Sequence, residues 1–263
     1  MGYEFIKVER KGHLTILTIN RSEVRNALHP PACKEMDEAF NEFSEDPDAW
    51  IGIVTGAGNQ AFCAGNDLKW QAEHGKVALR EGLDSLKGGF GGIARRFDCF
   101  KPMIAAVNGF AMGGGFEIAL ACDVIIAAEH ARFGLPEVKV GMIAGGGGVH
   151  RLPRHMPYHL AMGLIYTGRH ITAQEAQNLG IVSEIVAPDD LLRTAERWAE
   201  EILACAPLAV RAAKEASLRG LEMPLNEAIV ERFPGWYTMM ESEDYEEGPK
   251  AFAEKRTPQW KGR

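Results

Sequence analysis

The sequence predicts an α/β protein: a layered core of short buried strands and helices, followed by a helical C-terminal region. Three observations carry that reading. Apolar runs at residues 51–55, Met103–Val107 and Val124–Ala128 have the length and composition of strands buried on both faces. A glycine-led helical stretch at residues 113–121 separates the last two, which makes a strand–helix–strand unit. Beyond the Asp189-Asp190 start signal, Leu191, Ala195, Trp198 and Ile202 recur at helical spacing.

The remaining elements follow in order. Residues 3–8 and Leu14–Ile19 alternate like paired strands across a Lys11-Gly12 turn. Residues 31–43 read as a helix. The 51–55 run is stopped by Gly56 and Gly58. Residues 75–96 are polar and then glycine-rich, through Gly88-Gly89-Phe90-Gly91-Gly92. They read either as a mobile segment bordering a site or as a plain surface connection, because glycine clusters supply hinges and long loops carry function. Helices follow at residues 208–218, 225–240 and Glu243–Glu254, with Pro207 and Pro224 near two of the starts. This divides the chain into a core over residues 1–195 and a helical region over residues 196–263. The apolar stripes of that region suit a subunit interface or packing onto the chain's own core. No internal repeat is visible.

Composition excludes several classes. The 263 residues suffice for one large domain or one domain with an appendage. Net charge is -7 and the cations form no dense block, which argues against a nucleic-acid surface. The five cysteines are odd in number and scattered, as expected of reduced thiols in a cytoplasmic setting. Residues 1–20 carry Glu4 and Glu9 and fit neither a signal-peptide core nor a transit pattern. No apolar run is long enough to span a bilayer. The eight histidines lack metal-ligand spacing. G-x-G-x-x-G, G-K-[ST] and G-x-S-x-G motifs are absent, which disfavours dinucleotide, P-loop and serine-hydrolase chemistry.

Two stretches point to a site. Ala61-Phe62-Cys63-Ala64-Gly65-Asn66-Asp67-Leu68 and Asn108-Gly109-Phe110-Ala111-Met112-Gly113-Gly114-Gly115-Phe116-Glu117 each read as a small-residue turn entering a helix. Bare amides from two such loops can converge on one oxygen as negative charge develops there. Glu117 sits in an otherwise apolar helix, where a carboxylate is costly unless paired, hydrated or functional. Glu137 follows Pro136; it is either a second functional acid or a first-turn acid complementing a helix dipole. Gly145-Gly146-Gly147-Gly148 offers more bare backbone, or only a flexible loop. Spacing alone cannot bring Glu117 and Glu137 together.

Taken in order, these stretches make the chain resemble the enoyl-CoA hydratase/isomerase (crotonase) family over essentially its whole length. The likeness is carried by Asn20-Arg21 with Asn26-Ala27-Leu28, residues 61–68, Lys101-Pro102 with residues 104–109, residues 113–117, Cys122-Asp123, Phe133-Gly134 with Pro136-Glu137, and Phe252-Ala253-Glu254-Lys255-Arg256. Within the family it is similar to carnitinyl-CoA (crotonobetainyl-CoA) dehydratases, through Gly115-Phe116-Glu117, Met223-Pro224, Ser242-Glu243-Asp244 and the run from Glu247-Gly248-Pro249 to Lys261-Gly262-Arg263.

The resemblance implies a spiral core of ββα units with a C-terminal helical trimerisation region. It also implies a homotrimer or a hexamer built as a dimer of trimers. The substrate would be an acyl-CoA thioester, with coenzyme A part of the substrate and no separate cofactor, metal, nucleic acid or membrane partner. By position, the N–H groups of Asn66 and Gly114 would hold the thioester oxygen, Glu117 and Glu137 would be the acid–base pair, and Gly145 would help place water. Ala64, Asp67 and Leu68 would line the CoA path, with Arg25 and Ala27 near its adenine end. Phe252 and Lys255 would reach the CoA of a neighbouring subunit. The implied reaction is reversible hydration of an enoyl-CoA. Alternatives are carnitinyl-CoA dehydration, double-bond isomerisation and a non-catalytic assembly or RNA-binding role; two intact glutamates favour hydration. The chain departs from the usual pattern at Ala144, where proline is common, at Gly146, where alanine is, and at Asn66, where alanine is frequent. Trp70, Trp236 and Tyr237 are candidate aromatic faces for a cationic acyl group.

Overall fold

The computed structural model describes residues 2–263. At one edge, β1 (Ile6–Lys11) and β2 (Leu14–Ile19) form the antiparallel pair that the Lys11-Gly12 turn predicts. β1 begins later than expected because the amides of Glu4 and Phe5 donate to the Glu35 carboxylate, at 2.9 and 2.7 Å, instead of to a strand. Three strand–turn–strand repeats then build the core. β3 (Ile51–Gly56), β5 (Met103–Val107) and β7 (Val124–Ala128) pair in parallel in one sheet. Each is followed by a short strand, β4 (Ala61–Cys63), β6 (Phe110–Met112) and β8 (Arg132–Gly134), and these pair in parallel in a second sheet. β9 (Ile171–Thr172) pairs antiparallel with β8, and β10 (Glu184–Val186) adds to β7 in parallel. The sheet orders are β1-β2-β3-β5-β7-β10 and β4-β6-β8-β9. The chain therefore climbs as a spiral of ββα units. The repeat lies in geometry; the three units share burial, not residues.

Period-two alternation sorts the side chains of the long strands. Ile53, Ile104, Ala106, Ile126 and Ala128 pack with Leu191, Ala195 and Ala199 of the helix Leu191–Leu203. Val54, Ala105, Val107, Ile125 and Ala127 join the larger core, with the helices Pro30–Glu45 and Gly114–Ala121. Each isoleucine or valine fully buried there contributes roughly 2 kcal/mol. The helix Leu191–Leu203 crosses the expected 195/196 division and fastens both sides of it to the sheet.

The segment at residues 75–96 differs from its expected loop. The helix Leu68–Asp84 runs into it, broken only at Gly75, whose φ of +83° is non-helical. The glycines beyond it are packed tightly. Buried Asp37 accepts from the amides of Gly88 at 2.7 Å and Lys87 at 3.2 Å and pairs with buried Arg96 at 2.9 Å. A Cβ at residue 92 would lie 2.5 Å from the Asp37 nitrogen. These glycines permit close approach to a helix, and the segment borders the cavity through Leu79, Leu83, Phe90 and Arg95.

Four helices complete the chain: Pro207–Gly220, Leu225–Ala228, Pro234–Met240 and Glu243–Glu254. The single helix expected over 225–240 is interrupted over residues 229–233, and Pro234 disfavours helical backbone at Phe233 directly before it. Among the described residues all five cysteines are free. No helix there is long and apolar enough to cross a membrane.

Two asparagines fix the turn between β3 and β4. Buried Asn26 donates to the carbonyls of Ala57 at 3.0 Å and Ala61 at 2.7 Å. Buried Asn108 donates to those of Gly56 at 2.7 Å and Gly58 at 2.6 Å. Asn108→Ala leaves both glycine carbonyls without that donor. It is expected to lower unfolding free energy by about 2 kcal/mol, read as a lower urea midpoint at unchanged m-value. An unchanged midpoint would show that the turn does not need the clamp.

Candidate active site

Parallel pairing of β4, β6 and β8 brings the three segments that follow them to one edge of the small sheet. These segments are the loop at residues 64–67, the helix Gly114–Ala121, and the short helix Pro136–Val140. No spacing rule could have united them, since each comes from a different turn of the spiral. The first two touch. A Cβ at residue 115 would lie 2.0 Å from the Cys63 carbonyl oxygen, and one at residue 65 would lie 3.1 Å from the Gly114 nitrogen. Only glycine allows this approach.

The contact leaves two amides unengaged. The Leu28 N–H donates to the Gly65 carbonyl at 2.8 Å, and the Asp67 N–H to the Leu28 carbonyl at 2.9 Å. The Asn66 N–H between them has no acceptor among the described residues. Nor has that of Gly114, the first residue of its helix, where an intrahelical partner is missing by construction.

Both carboxyl groups line the same cavity as Asn66 and Gly114. Glu117, 4% exposed, accepts from the Gly148 N–H at 2.8 Å. Its other oxygen lies 2.5 Å from where a Cβ at residue 146 would sit. Burial pushes its carboxyl up from 4.5 to about 7; the Gly148 amide opposes this and neighbouring Glu137 adds to it. Glu137 lies against Gly113, its Oε1 2.8 Å from where a Cβ there would sit. Its Oε2 is buried without a hydrogen-bond partner, and burial raises its carboxyl above the usual range. One cavity of about 440 Å³ is lined by Asn66, Gly114, Glu117 and Glu137, with Leu79, Leu83, Phe90, Val140, Met142 and Ile143 as its apolar walls.

The other expected residues divide. Ala64, Leu68 and Gly145 line this cavity. Arg25 lines a separate cleft with Phe110 and His130, though its carbonyl accepts from the Ala64 N–H at 3.1 Å. Ala27 is buried beside that strand-like contact. The Asp67 carboxylate is engaged internally: it caps the helix Leu68–Asp84 through the Trp70 N–H at 3.1 Å and pairs with Arg21 at 3.2 Å. Phe252 and Lys255 lie on the last helix and just past it, outside the cavity lining, with Phe252 87% exposed.

The Gly145 amide does not face open space. It donates to the Ile143 carbonyl at 2.8 Å, a three-residue turn, and Gly148 supplies the amide that meets Glu117. Trp70, Trp236 and Tyr237 stay outside the lining; Trp70 stacks on His74 at 4.3 Å, and Trp236 lies under Arg232 at 4.3 Å. The sequence singled out the run Gly145–Gly148 but not which of its amides meets Glu117, and it missed Arg151, which holds the glycine loop from behind; an arginine in the first turn after a glycine run was the available signal. Among the described residues no group of three or more His, Cys, Asp or Glu side chains could hold a metal.

A model of the enoyl-CoA hydratase/isomerase family matches residues 9–263. The chain is 42% identical to a carnitinyl-CoA dehydratase of Salmonella arizonae, over 98% of this chain and 99% of that one, and 42% identical to one of Salmonella typhi, over 99% of each. It superposes on an enoyl-CoA hydratase from Bacillus anthracis with a TM-score of 0.92 at 37% identity, covering 99% of this chain and 100% of that one. An enoyl-CoA hydratase from Mycobacterium marinum gives 0.90 at 39%, covering 98% and 99%. With its two-sheet spiral, paired glutamates and whole-length match, the chain belongs to the enoyl-CoA hydratase/isomerase family.

Proposed function

We propose that the protein is a hydro-lyase that adds water reversibly across the C2=C3 bond of an enoyl-CoA thioester. The observation that carries this is a single cavity lined by two residues with unengaged amides, by the buried carboxyl of Glu117 and by the half-buried one of Glu137. Water oxygen adds to C3 as Glu117 takes its proton. The C2=C3 electron pair moves onto the thioester oxygen, which the Asn66 and Gly114 amides hold. Each such donor supplies roughly 3–4 kcal/mol of barrier reduction. C2 then takes a proton from Glu137, and proton exchange between the two acids resets the pair. Dehydration is the same path in reverse.

Coenzyme A, bound as part of the substrate, would follow Ala64, the Asp67 backbone and Leu68, with Arg25 and Ala27 toward its adenine end. Gly145 would act only as a wall of the water site. The region at residues 196–263 would form a trimer, alone or doubled into a hexamer, and bring Phe252 and Lys255 to a neighbour's CoA. Exposed Leu221 (83%), Val230 (71%) and Phe252 support an interface there. A second reading, carnitinyl-CoA dehydration, is favoured by the 42% identical relatives of that name. Initial rates on crotonyl-CoA and crotonobetainyl-CoA separate the two. A preference of tenfold or more for crotonobetainyl-CoA, about 1.4 kcal/mol in kcat/KM, would select the second reading.

Glu117→Gln and Glu137→Gln are each expected to lower kcat on crotonyl-CoA by about 100-fold or more, followed by loss of conjugated-thioester absorbance. Full activity in either variant would end the two-carboxyl scheme. The buried acid also sets a stability trend. The folded protein binds the Glu117 proton more tightly than the unfolded chain, so ionising it costs stability as pH rises from 4.5 through about 7. Glu117→Gln should therefore be more stable than the wild type at alkaline pH, by about 3 kcal/mol at most, with the gain vanishing in mild acid. Thermal unfolding across pH reads this; a gain independent of pH would contradict it.

A further inference from the structure

We propose that Arg151 is a positioning residue for Glu117: its guanidinium fixes the glycine loop that clasps the carboxyl, and it sets a positive charge behind that loop. The inference rests on the reading of Glu117 and Glu137 as an acid–base pair.

The loop at residues 145–148 has no side chains with which to hold itself. Glu117 nevertheless depends on it, through the Gly148 amide at 2.8 Å and the close passage of Gly146. Arg151, in the helix Gly148–His155, reaches back beneath the loop. It donates to the Ala94 carbonyl at 2.9 Å and reaches the Gly146 carbonyl at 3.4 Å. A Cβ at residue 147 would lie 2.2 Å from its guanidinium nitrogen. The ring of Phe97 covers the guanidinium at 5.6 Å. The planar fork thus bridges the loop to the segment beside the site, which a point charge on a flexible stem does less well.

Among the described residues no carboxylate forms an ion pair with Arg151. Burial works against its charge, and the carboxylate whose field offsets this is that of Glu117. The influence is mutual: Arg151 and the Gly148 and Gly146 amides favour ionised Glu117, while Glu137 opposes it. His150 and Arg154 on the same helix are exposed, as are Arg95 and Lys139 on the cavity wall, so water screens them; His155, on the same helix, is held below its usual range by burial and by the Arg151 charge, and so stays neutral beside it. A half-buried cation with carbonyl partners, held one loop away from an acid it does not touch, biases that acid without blocking its access to substrate.

The test is the pH profile of kcat/KM on crotonyl-CoA. The active form keeps one proton on the pair, so the rate falls at alkaline pH as that proton leaves, at a limb that burial of both acids places above the ordinary carboxylate range. Arg151→Met should move this limb upward by roughly one pH unit and lower the maximal rate by about tenfold, with KM within about twofold. Arg151→Lys should return the limb close to its wild-type position while recovering only part of the rate. A wild-type limb position in Arg151→Met, at whatever rate, overturns the proposal, as does a full rate in a folded Arg151→Met. If Arg151→Met does not fold, a shifted limb or a full rate in Arg151→Lys overturns it. An active Glu117→Gln removes the acid–base reading and this inference with it; an inactive one with an unmoved Arg151→Met limb removes this inference alone.

Discussion

The site depends on one close contact between successive turns of the spiral. Residue 115 passes so near the Cys63 carbonyl that any side chain there would occupy the space of the oxygen. That contact sets the loop at residues 64–67 against the first turn of the helix Gly114–Ala121, and so presents two amides to the same cavity. Everything around it serves to keep the turns in register. Parallel β4–β6–β8 pairing stacks the loops, and the Asn26 and Asn108 side chains hold the connection between the sheets.

Much of this was legible in the residues, for definite reasons. Strands β5 and β7 appear at their sequence-derived limits because burial on both faces leaves a continuous apolar run. The helix Glu243–Glu254 was equally plain, with Ser242 accepting from the Tyr245 N–H as its cap. Glu117 stood out because an acid in an apolar helix needs a reason. Its meeting with Glu137 was not legible from spacing, since it is created by sheet pairing; only the family resemblance anticipated it. The glycines at 88–92 could not be read from the sequence alone because a hinge and a close-packed contact require the same residue. Only the partner, here Asp37 fifty residues away, tells them apart.

Glu117 illustrates how a site can oppose the fold that carries it. Its helix is otherwise apolar, and its burial raises the carboxyl into the range where it exchanges protons near neutrality. The same burial makes the ionised form a load on the native state. The loop amides and Arg151 limit that load without abolishing it, which leaves an acid that is neither permanently charged nor permanently neutral.

The break at Gly75 divides labour within one helix. Its first turns are anchored by the Asp67 cap and the Arg21 pair, next to the Asn66 amide that faces the cavity. Beyond the break, Leu79, Leu83 and Asp84 form part of the wall of the cavity. Tilt or substitution in the distal half need not propagate into the anchored half, because the backbone at Gly75 leaves the helical conformation between them. Descendants of such a chain can redraw the acyl wall by local change, and inherit the reacting centre unaltered.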